Sequence, residues 1–454
     1  MSGEKLVLIV IDGLTPAMLE DAVERRTAPA LRFLMEHGDY RRSVTTFPSL
    51  TPVCLASLAT GAHPDMHGIP HLVWFHRGEQ RIVEYGSSFG AVRAAGTARS
   101  LRDAVFSMNA EHLSRQAVTV YEALEGAGRV TAAVNMVCYR GPVRHLPTVP
   151  GLARAAYGPS RFFYYNLFES DVTGAPLAIR TRARGSVDEY AKAVGRWLVT
   201  RDGFDFLVFY LPDYDFASHA AGPEAAHDAL ARADGAIGAL LAAAGGPDEF
   251  LERYSVVLCS DHGQTRVDRP ARLDDSFSGF RLFRRGDGRD AELAITASNR
   301  AGMVYRLPGC RLETRELAER LDGDPGVGVV LFRENGEAVA RREREELRFA
   351  PGEQGWRTSG DEGLLDQPGA LERSWAALAN ANAGELIVSA APGVEFADLG
   401  GRHHVGGGSH GSLELGDSEV PMLTIGLDST PARIVDVAPL VLGHFGVEAQ
   451  TRAA

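Results

Sequence analysis

Three segments of this chain are apolar at nearly every position: Lys5 to Ile11, Phe206 to Leu211 and Tyr254 to Cys259. They are rich in Val, Ile and Leu and shorter than typical helices. Such runs read as strands buried on both faces, the environment of a parallel sheet covered by helices. Between them, apolar residues recur at helical spacing. Leu31, Leu34 and Met35 mark a helix from Thr27 to Gly38, and Val187, Ala191, Val194 and Leu198 mark one from Ser186 to Thr200. Val118 to Gly128, the alanine-rich residues 224–244 and Pro431 to Phe445 also read as helices. Tyr40 to Thr45, Arg129 to Met136, Met303 to Leu307, Val327 to Phe332, Glu385 to Ser389 and Val420 to Gly426 read as further strands, and Arg81 to Tyr85 as a hairpin strand. Strands alternating with helices predict an α/β fold, a three-layer α/β/α arrangement around a central mostly parallel sheet, with smaller inserted α+β elements.

The pattern weakens in three places. Residues 86–116 are rich in Gly, Ala and Ser and show little period. Residues 140–185 hold an aromatic knot at 161–166, and a long irregular stretch in a compact protein often forms a lid or pocket wall. Residues 271–384 carry an arginine-rich surface stretch (Arg281, Arg284, Arg285, Arg289) and a charged, weakly patterned part at 333–370. They read as an elaboration inserted into a core made of 1–270 and 385–450. Within them, Arg341 to Arg348 reads as a solvated helix face.

Composition narrows the partners. A chain of 454 residues implies two or three structural units, and 45% hydrophobic with 23% charged residues is ordinary for a soluble globular protein. The formal net charge of -12 argues against a nucleic-acid polymer as partner. It leaves open a small anion held by local metal charge. The first apolar run is about a third of the length that crosses a bilayer and has no small-residue cleavage site, so neither a membrane span nor a signal peptide is expected. Cys54, Cys138, Cys259 and Cys310 are scattered, which fits a reduced, cytoplasmic location.

The candidate chemistry sits where the apolar strands end. One strand ends at Asp12, one at Asp213 and Asp215 with His219, one at Asp261 and His262. Open α/β sheets place ligands at such ends. A glycine-rich loop, Gly400 to Gly411, adds His410. Carboxylates and imidazoles gathered at one sheet edge are a zinc donor set. Thr51 precedes Pro52, a helix-favouring run to Ala59 and then Gly61, so it reads as an N-cap with Pro at the first helical position. A hydroxyl there lies on the positive end of the helix dipole. Asp12, Thr51, Asp215, His219, Asp261, His262 and His410 suffice to hold two zinc ions beside a hydroxyl. His63, Asp65, His67 and His71 also cluster, but their spacing is not that of a standard zinc site.

The segments 10–14 (VIDGL), 47–51 (FPSLT), 58–61 (LATG) with His67-Gly68, 210–223, 260–263 (SDHG) and 408–411 (GSHG) resemble the alkaline phosphatase superfamily. The likeness is strongest to its nucleotide pyrophosphatase/phosphodiesterase branch. The resemblance implies one zinc on Asp215, His219 and His410 and another on Asp12, Asp261 and His262, with Thr51 as nucleophile. Asp215 is chosen over Asp213 because it stands four residues before His219. The implied reaction is hydrolysis of a phosphodiester or pyrophosphate bond through a phospho-threonine intermediate, on a small anionic phosphate-containing substrate such as a nucleotide. That branch typically has an Asn three residues after the nucleophile, bonding a phosphoryl oxygen. Here Cys54 stands there, so another donor replaces it or the substrate differs. Trp74, Phe75, Phe162, Phe163, Tyr164 and Tyr165 are candidate walls that stack on a nucleobase or aryl group. Phosphomonoester and phosphonate hydrolysis fit the same metal set, and a non-catalytic ligand-binding relative is the alternative from another class.

Overall fold

The structure, a computed structural model, describes residues 4–149, 151, 154–177, 186–286 and 290–448. Arg289, residues 178–185 of the expected wall and the two chain ends lie outside the described residues.

The first strand, Lys5–Ile11, shows why the chain folds as it does. Its residues alternate between two cores. Val7, Ile9 and Ile11 pack into one, and Leu6, Leu8 and Val10 into the other. A strand with helices on both faces has no polar side, so its sequence is apolar throughout. Lys5–Ile11 lies between Phe206–Leu211 and Tyr254–Cys259, parallel to both. The sheet has eight strands, in the order Asp39–Val44, Glu419–Ile425, Tyr254–Cys259, Lys5–Ile11, Phe206–Leu211, Thr131–Val134, Arg161–Tyr164, Phe168–Ser170. Its central pairings are parallel and its edge pairings antiparallel. Pro29–His37, Val187–Thr200 and His227–Ala243 contribute to one covering layer, and Thr51–Thr60, Val120–Gly126 and Val437–His444 to the other. This is the expected three-layer α/β/α fold.

The inserted region is more regular than its sequence pattern. It forms a second, seven-stranded sheet in the order Leu293–Ser298, Ala301–Arg306, Leu386–Ala390, Val327–Glu334, Glu337–Arg342, Glu345–Gly352, Gly355–Gly360. Every pairing is antiparallel. Two expectations fail here. Residues 341–348 are not a helix face but the turn of a hairpin, with Arg342 paired to Glu345 and Glu343 and Arg344 both at positive φ. The mixed charges are cross-strand partners, and no Gly or Asn announces the turn. The strand Leu386–Ala390, placed by sequence in the main core, lies inside this second sheet.

The unreadable residues 86–116 form helices Phe89–Ala95 and Thr97–Arg102 followed by a π-helical stretch, Asp103–His112. All four cysteines are free. Among the described residues no helix is long and apolar enough to cross a membrane.

Candidate metal centre and active site

Parallel strands bring their C-terminal ends to one edge of a sheet. Ile11 pairs with Leu211 and Val10 with Cys259, so Asp12, the 213–219 helix and Asp261-His262 leave the sheet side by side. His262 Nε2 lies 3.3 Å from Asp12 Oδ1 and 3.5 Å from Asp261 Oδ2. His219 Nε2 lies 3.4 Å from Asp215 Oδ2, one helical turn along Asp213–Ala221. His410 Nε2 lies 3.9 Å from Asp215 Oδ1, and its ring stacks on that of His262 with centroids 3.6 Å apart. Two triads each gather their donor atoms closely enough to share one ion: Asp12, Asp261 and His262, and Asp215, His262 and His410. His219 falls outside the second triad but touches its carboxylate.

The three histidines are oriented alike. The Nδ1 of His262 contacts Gly263 O at 3.1 Å, that of His219 contacts Gly408 O at 2.8 Å, and that of His410 contacts Ser49 O at 2.7 Å. A carbonyl only accepts, so each Nδ1 carries the proton and each Nε2 presents a lone pair to the site. That is how a protein fixes the tautomer of a metal-binding histidine. The carboxylates are held too. Tyr210 donates to Asp12, Gln264 donates to Asp215, and Gly13 N and His262 N donate to Asp261 Oδ1. The outward oxygens Asp12 Oδ1 and Asp261 Oδ2 are buried without a hydrogen-bond partner.

Electrostatics tell the same story. Burial, and then the neighbouring Asp261 carboxylate, raise the Asp12 carboxyl well above its ordinary range. Burial also raises Asp261, against the pull of His262. Burial opposes the charge of Asp215, but His219 beside it prevails and holds that carboxyl low. Burial and then His262 push His410 far down. Crowded buried carboxylates with orphaned oxygens, facing the Nε2 atoms of three imidazoles, fit divalent cations, which satisfy those oxygens and favour the ionised carboxylates.

Thr51 stands beside this set, with Oγ1 3.1 Å from His262 Nε2. It is not the N-cap. Leu50 is extended and holds that position, so Thr51 is the first residue of the helix Thr51–Thr60. Its hydroxyl is therefore free of a capping role. Gly61 closes the helix in the left-handed conformation, as expected.

The expected walls need correction. Trp74 and Phe75 are buried in the core beneath the second sheet, and Phe162 and Tyr164 in a small aromatic core. Phe163 packs into the main core. Cys54 is buried under Thr45 and Thr46, and burial pushes its thiol up to about 12. None of these lines the cleft over the site. That cleft, about 670 Å³, is bounded by Tyr85, Phe89, Tyr165, Phe216 and Arg402 among others. Phe89 and Phe216 stand 80% and 59% exposed, free to stack on a ligand. The cluster after the Thr51 helix is structural. His67 contacts Ser57 Oγ at 3.2 Å, and His71 accepts from Val73 N. Asp213 accepts from Val187 N and Asp188 N and so anchors the start of a helix.

Four neighbours were given no role from the sequence. Tyr210 and Gln264 hold the carboxylates of Asp12 and Asp215. Asn299 places its amide nitrogen 2.8 Å from His410 Nε2. His404 stacks on His219 with centroids 4.2 Å apart, its Nδ1 2.7 Å from Glu395 Oε1. Asn299 occupies the two-residue turn between Leu293–Ser298 and Ala301–Arg306. An Asn between two apolar runs was a usable turn signal.

A family model for type I phosphodiesterase / nucleotide pyrophosphatase matches residues 6–413. The chain belongs to that family. It is accordingly a hydrolase of phosphoric ester or pyrophosphate bonds with the alkaline phosphatase superfamily fold. A phosphonoacetate hydrolase from Sinorhizobium meliloti 1021, solved with phosphonoformate, matches over 96% of this chain and 94% of its own, at 18% identity and TM-score 0.60. Murine ectonucleotide pyrophosphatase / phosphodiesterase 5 matches over 99% of this chain and 97% of its own, at 14% identity and TM-score 0.60. An inactive form of that mouse protein was solved with AMP. At these identities the likeness speaks for the fold. Among curated proteins none matches this family member in sequence.

Proposed function

We propose that this chain cleaves phosphodiester or pyrophosphate bonds with two divalent cations, zinc being the first choice, through a phospho-threonine on Thr51. The observation that carries the reading is the pair of carboxylate–imidazole triads with two orphaned carboxylate oxygens beside the Thr51 hydroxyl. Asp12, Asp261 and His262 would hold one cation with Thr51; Asp215, His219 and His410 would hold the other. Bound there, the cations supply Lewis acidity that makes the Thr51 hydroxyl nucleophilic at neutral pH and neutralises charge on the substrate.

Thr51 Oγ1 attacks phosphorus, the bond to the leaving oxygen breaks, and the phosphoryl group rests on Thr51. Water then cleaves the Thr51 ester and returns the hydroxyl. Phe89, Tyr165 and Phe216 would flank an aryl or nucleoside group of the substrate. Arg402, on the cleft with no ion pair among the described residues, favours a substrate with a second anionic group. A pyrophosphate has one, and so does a carboxylated phosphonate. The second reading is therefore hydrolysis of such a phosphonate, the ligand class solved with the rhizobial hydrolase. A panel decides between them: bis(p-nitrophenyl) phosphate, a dinucleotide pyrophosphate, p-nitrophenyl phosphate and phosphonoacetate, each offered to the zinc-loaded protein. Fastest turnover of the diester or pyrophosphate supports the first reading. Turnover of phosphonoacetate alone replaces it, and no turnover of any of them refutes both.

A further inference from the structure

A second cavity, about 540 Å³, lies outside the catalytic cleft and shares no lining residue with it. It opens between the 94–99 segment, the start of the inserted region at 272–274 and 283–286, and the loop at 397–399. Its floor is apolar, with Ile82, Phe283 and Ile295. Its rim carries five arginines. Arg81 is neutralised by Asp103 and Glu79, and Arg284 by Asp274 at 2.6 Å. Arg99, Arg272 and Arg285 have no ion pair among the described residues. Asp398, the other acid on the rim, is engaged by the backbone N–H groups of Gly400 and Arg402.

Three guanidinium groups with no ion pair among the described residues, around one hollow, are unusual in a chain whose formal net charge is -12. Solvated arginines repel one another and ordinarily spread out or pair with carboxylates. Arg285 is also seated. Its guanidinium lies against the backbone of Gly96, where a Cβ would come within 2.9 Å of Cζ. Gly96 sits at φ +112, so the bare backbone is what makes room for the planar group. Guanidinium forks match the oxygens of phosphate or phosphonate, and the apolar floor suits a ring.

We infer that this cavity binds a dianionic organic phosphate or phosphonate with an apolar ring, at a site separate from the reaction. The head group lies among Arg99, Arg272 and Arg285, and the ring on Phe283 and Ile295. The inference does not depend on the hydrolytic reading.

Calorimetric titration of the zinc-loaded full chain tests it. The probes are phenylphosphonate, which has no ester to cleave, and methylphosphonate, which lacks the ring. The expected result is a phenylphosphonate site that weakens at least tenfold in Arg272→Ser/Arg285→Ser and that binds methylphosphonate several-fold less tightly. The double variant should turn over bis(p-nitrophenyl) phosphate at the wild-type rate, because neither arginine lines the cleft. Arg285→Glu, a single exposed change, should abolish the same site. Identical phenylphosphonate isotherms for wild type and both variants overturn the proposal, as does equal affinity for the two probes. A loss of turnover matching the loss of binding also overturns it, since the ligand would then sit in the cleft.

Discussion

Two clusters of charge in this protein are built on opposite terms. On the second sheet, Arg315 bridges Glu334 at 2.7 Å and Glu346 at 2.5 Å, Arg341 joins Asp322 and Glu346, and Arg348 adds to Glu334. Every charge there has an opposite neighbour, and the arginines pull the Glu334 carboxyl down to about 2. At the end of the parallel sheet, three carboxylates and the imidazoles of His262 and His410 are buried together, with the partly buried His219 beside them. Two of the carboxyl groups are raised, and two of their oxygens have no hydrogen-bond partner among the described residues. The first cluster is complete as folded and reads as structure. The second is incomplete without a cation, and burial makes incompleteness costly. An enzyme keeps such a cluster where it serves a reaction.

The largest effect that separates the regions belongs to Thr51. Thr51→Ala should retain both metals and the fold while losing at least ~1,000-fold in kcat, the scale of removing a covalent nucleophile. Metal analysis, a melting curve and steady-state rates measure it, and a variant with most of its activity would move the nucleophile elsewhere. His410→Ala should shed one of two metals preferentially. Two tightly bound ions in that variant would remove His410 from the ligand set.

Next in size is the joint between the regions. The hairpin tip Asn299-Arg300 of the second sheet reaches the candidate metal centre at His410. Arg300 is fully buried, with Nη1 2.9 Å from Asp417 Oδ1 and further bonds to Val394 O and Ala391 O, and its N–H donates to His410 O. Removing one partner of a buried ion pair costs about 3–5 kcal/mol. Arg300→Met should therefore lower stability by that much in urea unfolding and reduce metal affinity through His410. If stability falls while zinc affinity and rate stay at wild-type values, the second sheet does not support the site.

How much of this was legible follows from where each residue gets its constraint. Lys5–Ile11, Phe206–Leu211 and Tyr254–Cys259 announced the parallel sheet, because burial on both faces leaves no polar position. Asp12, Asp215, Asp261, His262 and His410 stood out because each closes a strand or sits in a glycine-rich loop. Of the expected walls, only Tyr165 lines the cleft. Trp74 and Phe162 look like a stacking surface in sequence, yet an aromatic ring earns burial as readily as contact with a ligand. Phe89 and Phe216, which do reach the cleft, lie in segments without period. The second sheet was hidden because its strands pair charge with charge across the ladder, as Arg341 does with Glu346, a pattern that resembles a solvated helix.

Smaller, and independent of metal, is the acid limb of stability. Burial lowers His67 to about 3 and His71, His112 and His145 to about 4. The folded state holds these rings neutral, whereas the unfolded chain protonates them near 6.5. Their contribution is complete above pH 6.5 and drains away as pH falls toward 4, because the unfolded state then binds more protons. Each ring contributes a slope of up to about 1.4 kcal/mol per pH unit in that window. His145 lies away from the metal centre, with Nδ1 2.6 Å from Ser170 Oγ and Nε2 2.7 Å from Pro159 O. Urea midpoints from pH 7 to 4.5 should fall steeply in wild type and less steeply in His145→Gln. Parallel profiles would mean that His145 is protonated in the folded protein.

The smallest effect should come from the complete cluster. Arg315→Ala removes two ion pairs that face solvent, and partly exposed pairs contribute about 0–1 kcal/mol each. The loss should shrink further as salt is raised from 0.05 to about 0.5 M, because screening weakens what remains. The guanidinium also lies over the Phe332 ring, so part of any cost should persist at high salt as lost contact. The rate on a diester should not change. If Arg315→Ala slows catalysis as Arg300→Met does, the charges of the second sheet communicate with the metal centre, and the division between a finished structural cluster and an unfinished catalytic one fails at its simpler end.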